Sequence, residues 1–320
     1  MKKALVLGAG GFIGNHLVSR LKHEGYFVRA VSRRYPQFSK SRADEFLTCD
    51  LRNYDSSKVA FSIPGSFDEV YHMAGDTGGA TYINCGDHDA GAISNSVTMD
   101  INVAKLCIEE KVKKLFFPST ACVYNKNNDK ATCVESEVYP ASPDNEYGWG
   151  KLFSERMYQS FHRNHGLNIK IARFHSIVGP ESQWQGIKAK AHSALARKVA
   201  LVEDGGTIDV IGDGSQTRTF LFIDDCIDAV RLLMQSQVNE PVNIGSNHLI
   251  SIKEYVLLLK EISGKRFNIN FISGPTGVNG RECSIKKIHS LLGWSPMIDI
   301  KETTEKTYSW IKSQIELEKK

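Results

Sequence analysis

The chain has 320 residues, 41% hydrophobic and 24% charged, enough to bury a full core in one large or two smaller domains. Forty basic and 36 acidic residues leave a net charge of +4, which argues against a nucleic-acid binder and suits phosphorylated ligands. No run of about 18 apolar residues argues for a membrane span, and seven cysteines without CxxC or Cys/His spacing give no metal site and read as reduced thiols of a cytoplasmic protein.

Met1-Lys2-Lys3 before an apolar stretch imitates a secretory signal, but glycines interrupt it and it is needed as the first strand. That strand, over 4–7, runs into Gly8-Ala9-Gly10-Gly11-Phe12-Ile13-Gly14 and then a helical pattern through Leu21. Strand, glycine turn and helix make a dinucleotide site. Gly8 permits the tight turn, Gly11 lets a pyrophosphate approach the backbone, and Gly14 lets helix lie on strand. The helix N-terminus at Phe12 and Ile13 attracts the negative charge.

Further strands are predicted over 27–31, 45–49, 69–73, 114–118 and 169–174, with helical stretches between them, among them 90–111 and 147–165. Such alternation means an α/β fold, a doubly wound parallel sheet of Rossmann type. After the second strand stand Ser32, Arg33 and Arg34, where an acidic residue would hold the ribose of NAD. They suit a 2′-phosphate, so NAD(P) is expected with a tilt to NADP; arginines facing solvent are the other reading. Asp50 and Leu51 follow the third strand, near the adenine, and Met73 and Ala74 close the fourth beside the cofactor.

Ser119-Thr120-Ala121-Cys122 precedes Tyr147-Gly148-Trp149-Gly150-Lys151. A Tyr and a Lys one helical turn apart, with an upstream Ser/Thr, form a hydride-transfer site, and Cys122 adds a thiol that can move a proton. Beyond residue 176 the pattern is less regular, with Gly179-Pro180, the turn 212–214 and the glycine-rich 274–281. A dinucleotide-binding domain over 1–175, regained over about 217–247, is expected, with a smaller lobe from 176–216 and 248–320 above the strand ends.

These residues resemble the extended short-chain dehydrogenase/reductase family, in its nucleotide-sugar epimerase and dehydratase branch, over nearly the whole chain. Further segments carry the likeness: Asp76-Thr77-Gly78-Gly79, Arg173-Phe174-His175, Trp184-Gln185-Gly186 leading to Lys190, Gly212 to Arg218, Pro241 to Ser246, and 274–281. Cys122, Lys190 and Gly78-Gly79 are not generic to the branch and point to its GDP-mannose 3,5-epimerases.

The resemblance implies roles. Tyr147 is the acid/base at a sugar hydroxyl that Thr120 also holds, and Lys151 lowers the phenol pKa and holds the cofactor ribose. Cys122 and Lys190 exchange ring protons on opposite faces. The smaller lobe binds a nucleotide-diphosphate sugar, a GDP-hexose first, through Gly78, Gly79, Thr120, His175, Ser176, Lys190, Lys198, Gln216, Arg218 and Arg281. Of these His175 packs or positions a loop rather than carrying a proton. No metal, nucleic acid or membrane is implied, and a homodimer through the helices over 90–111 and 147–165 is.

In the dehydratases that the chain resembles, Asp and Glu follow the threonine; Ala121 and Cys122 stand here, so elimination loses its acid. Ser176, Ala189 and Ser284 replace the family's Asn, Glu and Asp, which leaves the sugar and the nucleotide open. Two other readings stand. A 4-epimerase needs Tyr147 and Thr120 but not Cys122 or Lys190, and a cofactor-binding sensor needs none of them.

Overall fold

The computed structural model describes residues 1–125, 132–274 and 278–319, so part of the glycine-rich segment, 275–277, lies outside the described residues. In chain order the first half runs β1 (Lys3–Leu7), α1 (Phe12–His23), β2 (Phe27–Ser32), β3 (Glu45–Thr48), α2 (Tyr54–Phe61), β4 (Glu69–His72), α3 (Ala80–Ile83), α4 (Asp89–Glu109), β5 (Lys114–Thr120), β6 (Thr132–Cys133), α5 (Glu146–His165) and β7 (Ile169–Phe174). The second half has short strands β8 (Ile177–Val178), β9 (Thr207–Ile211), β10 (Thr217–Thr219), β11 (Leu221–Phe222), β12 (Val242–Ile244), β13 (Leu249–Ser251), β14 (Asn268–Ile272) and β15 (Glu282–Cys283). Its helices are α6 (Ala191–Leu201), α7 (Ile223–Gln235), α8 (Ile252–Ser263), α9 (Lys286–Leu292) and α10 (Ile300–Glu318).

Seven parallel strands form the central sheet in the order β12-β7-β5-β4-β1-β2-β3. The inner strands are buried on both faces, as a sheet covered on both sides requires, and largely apolar apart from Glu69 and His72 of β4, Lys170 and Arg173 of β7 and the hydroxyl end of β5. Ala4 and Val6 point into one core with α1 and α7; Leu5 and Leu7 point into the other, with Val103, Leu106 and Tyr158 from α4 and α5. The chain reverses direction of travel between β1 and β4, the switch point at which such sheets take ligands beyond their strand ends.

A third apolar cluster gathers Trp184, Leu195, Val210, Phe220, Tyr255 and Ile311. It underlies α6, α8 and α10. At the foot of the sheet Arg231 is buried and donates to Glu24 at 2.7 Å and Glu69 at 2.6 Å, with Tyr26 at 3.0 Å, pinning α7 to β4 and the α1–β2 corner. Removing either partner of such a buried pair leaves an uncompensated charge.

Candidate active site

Gly8 has φ +82, which glycine adopts without strain, and a Cβ there would lie 2.5 Å from the Ala74 nitrogen. The turn therefore brings β1 against the end of β4. Gly11 caps α1 without a side chain, leaving the first-turn N–H groups for an anion. Beside it a cavity of about 200 Å³ is lined by Gly8, Gly11, Ser32, Arg33, Arg34, Asp50, Leu51, Met73 and Ala74. Nine of the expected cofactor residues thus meet at one place, where β1, β2, β3 and β4 end, while Ile13, Tyr147 and Lys151 line a larger cavity next to it. Phe12 and Gly14 stand apart from this lining: the Phe12 ring meets His16 edge-on and Gly14 lies against the Gly8 carbonyl. Asp50 is held by Arg52 at 2.5 Å, and that hydrogen-bonded pair lowers its carboxyl to about 2.

A second cavity of about 700 Å³ opens beyond the ends of β4, β5 and β7. Its walls bring together Ile13, Met73, Ala74, Gly78, Gly79, Thr120, Cys122, Tyr147, Lys151, Ser176, Lys190, Lys198, Gln216, Arg218 and Arg281. Tyr147 and Lys151 come from the start of α5, which Asn145 caps by accepting the Gly148 N–H at 2.9 Å. Thr120 closes β5, and its hydroxyl accepts the Cys122 N–H at 3.2 Å. The phenol of Tyr147 is hydrogen-bonded by Thr77 and Thr120, yet burial dominates and pushes it up to about 12. Thr77 was not singled out from the sequence; its place in Asp76-Thr77-Gly78-Gly79 was the available signal.

Lys151 is buried, its ammonium 4.3 Å from the Phe117 ring centroid. Burial pushes its pKa down, while Asp100 and then Glu155 oppose. Asp100 is itself buried and bonded to His72 Nε2 at 2.7 Å and Ser154 Oγ at 2.7 Å. The expectation that Lys151 lowers the phenol pKa is met by a net shift the other way, because burial of Tyr147, with Cys122 and Asp100 acting in the same direction, outweighs the hydrogen bonds from Thr77 and Thr120.

Cys122 and Lys190 reach the cavity from different elements, the first from the turn after β5 and the second as the N-cap of α6. Lys190 is open to the cavity yet set deep among protein atoms. Poor solvation lowers its ammonium from the ordinary 10.5, and burial raises the Cys122 thiol from 9.0. Both groups are biased to their neutral forms.

Arg281 is paired with Asp144 at 2.6 Å and also donates to the Ala121 carbonyl, which ties the loop after β14 to the turn carrying Cys122. Arg218 is pushed down by burial and by the neighbouring Arg281, so two guanidiniums face one region where an anion would offset their repulsion. Lys198 donates to the Asp209 carbonyl at 2.6 Å, at the rim between α6 and β9. His175 is not in the wall. It is 2% exposed, 3.3 Å from Asn243 Oδ1, and desolvation lowers it to about 3, so it is a neutral packing residue behind the cavity. Among the described residues no cluster of His, Cys, Asp or Glu could hold a metal, and no helix is long and apolar enough to cross a membrane.

Residues 4–245 match the NAD dependent epimerase/dehydratase family. The chain belongs to that family. GDP-mannose 3,5-epimerase of Arabidopsis thaliana is 35% identical over 323 residues, 99% of this chain and 84% of that protein. The UDP-glucuronic acid 4-epimerase of Bacillus cereus, solved with UDP-glucuronic acid and NAD, superposes with a TM-score of 0.83 at 27% identity over 98% of this chain and 99% of its own. UDP-glucose 4-epimerase of Thermotoga maritima, solved with UDP-glucose, shares the fold with a TM-score of 0.86 at 24% identity over 98% and 99%. This member of the family is a nucleotide-sugar epimerase that uses a nicotinamide cofactor.

Proposed function

We propose that the enzyme epimerises a GDP-hexose at carbon 5, carbon 3 or both, by transient oxidation at carbon 4 and re-reduction. The observation that carries this reading is the convergence of a thiol, an amine and a threonine-bonded phenol on one cavity wall to wall. A nicotinamide dinucleotide would be held by the α1 N-terminus, Gly11, Met73, Ala74 and Lys151, and its ring would supply the hydride acceptor and donor. Tyr147 takes the proton of the carbon-4 hydroxyl while Thr120 orients it. The resulting ketone acidifies the hydrogens at carbons 3 and 5. The Lys190 amine, in its unprotonated form, would accept a ring proton and the Cys122 thiol would return one; in the reverse direction the roles exchange. No net redox change results. Gln216, Ser176, Gly78 and Gly79 line the same cavity and suit the sugar, and Arg218 and Arg281, with Lys198 at the rim, suit the diphosphate.

A 4-epimerase is the second reading, favoured by the likeness to the Bacillus cereus enzyme. Incubation with a panel of nucleotide sugars in deuterated water, followed by mass spectrometry, separates the two. Deuterium at carbon 3 or 5 of recovered GDP-hexose is the expected result. Inversion at carbon 4 without deuterium would establish the second reading instead.

The lobes we propose are 1–175 with 217–247, and 176–216 with 248–320. The separate cluster under α6, α8 and α10 supports the division, while Ile288 and Trp294 cross it to pack on the sheet.

For the cofactor we propose NADP over NAD, because Ser32, Arg33 and Arg34 all line the smaller cavity. Replacing both Arg33 and Arg34 by Ala should weaken NADP by roughly one to three kcal/mol per lost charge-assisted bond and spare NAD. Titration of each cofactor by fluorescence reads this out; equal loss for both would show that the arginines serve neither 2′-group.

A homodimer through α4 and α5 is also proposed. Trp149 and Phe153, one turn apart on α5, are 43% and 50% exposed, an apolar pair that a second copy would cover. Trp149→Glu with Phe153→Glu should convert the protein to a monomer in light scattering, and an unchanged mass would place the contact elsewhere.

A further inference from the structure

We propose that Asp76 and Lys188 form a latch that positions Lys190 for ring-proton exchange; this rests on the assignment of that exchange to Lys190. Two segments far apart in the chain are held side by side: the stretch from Asp76 to α3, and the loop 186–190 that leads into α6. Lys188 Nζ donates to Asp76 Oδ1 at 2.8 Å, and the opposite carboxylate oxygen accepts from Asn95 Nδ2 at 2.9 Å. Tyr82 donates to Asp76 Oδ1 at 2.9 Å, and its ring centroid lies 4.2 Å from the Lys188 ammonium. Apart from the lysine, the carboxylate is thus fixed by two donors, one on each oxygen.

The backbones are joined as well. The Gly79 N–H donates to the Lys188 carbonyl at 3.1 Å, and Thr81 Oγ1 donates to the Ile187 carbonyl at 2.9 Å. A Cβ on Gly79 would lie 2.3 Å from the Ala189 carbonyl oxygen, so the approach requires glycine there. These contacts hold each of the three residues before Lys190. Within its own loop that stretch has the turn bond from the Ala189 N–H to the Gly186 carbonyl at 3.1 Å. Asp76 itself lines the cofactor cavity, whereas Lys188 lines neither cavity. Lys188 is therefore a positioning residue, and its charge acts on the reaction only through the placement of Lys190.

The test uses Lys188→Met, which keeps the stem and removes the charge, Lys188→Arg, which restores it, and Lys190→Ala as reference. The probe is the nucleotide sugar that the wild-type enzyme exchanges fastest in the deuterium panel. Lys188→Met should lower kcat for deuterium uptake about 10–10²-fold, the scale of a small misplacement of a reacting group, with KM within about two-fold. Nicotinamide reduction on mixing, read by absorbance, should stay at the wild-type rate, and Lys188→Arg should recover uptake. Wild-type uptake in Lys188→Met, with uptake abolished in Lys190→Ala, overturns the latch and leaves the role of Lys190 standing. Equal losses of reduction and uptake in Lys188→Met also overturn it, since the ion pair would then be general scaffolding. Full uptake in Lys190→Ala would remove the reading on which the latch rests.

Discussion

Tyr147→Phe is expected to lower turnover by about 10²–10⁴-fold while leaving cofactor affinity within a few-fold of wild type, because it deletes the proton acceptor and little else. The phenol sits between Thr77 and Thr120, and burial holds it near 12, so it is protonated at neutral pH. The base form grows as pH rises, and kcat/KM should climb with pH on an alkaline limb. Thr77 lowers the phenol pKa through its hydrogen bond, so Thr77→Val should move that limb to higher pH. Turnover of Tyr147→Phe within a few-fold of wild type would remove the residue from the chemistry.

Cys122→Ser is expected to abolish most deuterium uptake while carbon-4 oxidation, seen as nicotinamide reduction, survives. A hydroxyl keeps the shape of the site but scarcely ionises, whereas a thiol does. Lys190→Ala should block exchange from the other wall with the same survival of oxidation. The protonation states give a further sign. Exchange that needs a neutral amine rises as pH passes the lowered Lys190 pKa, and exchange that needs a thiol falls as pH passes the raised Cys122 pKa. The pH profile of uptake should therefore be bell-shaped, with apparent values belonging to the pair. Equal loss of reduction and uptake in Cys122→Ser would make the cysteine a wall-packing residue, and no loss in either would favour the 4-epimerase.

The central sheet was legible because its strands are rich in apolar residues and alternate with helices. The expected 169–174 coincides with β7, and the expected 27–31, 45–49, 69–73 and 114–118 differ from the observed strands by a residue or two at one end. Strand β5 runs on through Ser119 and Thr120, whose hydroxyls hide the extended backbone from an apolar pattern. β12 has three residues, too few for any period to register, and only the resemblance marked its surroundings. What escaped the sequence are contacts between distant residues. The Arg34 carbonyl occupies the space that a Cβ on Gly10 would need, Asp144 meets Arg281, and Asp100 answers the charge of Lys151. The misjudged tuning of the phenol has the same source, since burial is a property of the whole fold and not of a four-residue spacing.

The position of β12 at the end of the sheet bears on how the protein is made. During synthesis the first six strands of the sheet are complete once Phe174 has emerged, but β7 then presents an open row of N–H and C=O groups along one side. Its partner, Val242–Ile244, arrives only after some seventy further residues have left the ribosome, on the order of several seconds at the usual pace. Through that interval the nascent chain carries an unprotected strand edge, the kind of surface on which chains pair with one another. When this short strand arrives it covers the Ala172–Phe174 half of β7 and becomes the sheet's own edge there, so late delivery shortens the open edge of β7 from six residues to three.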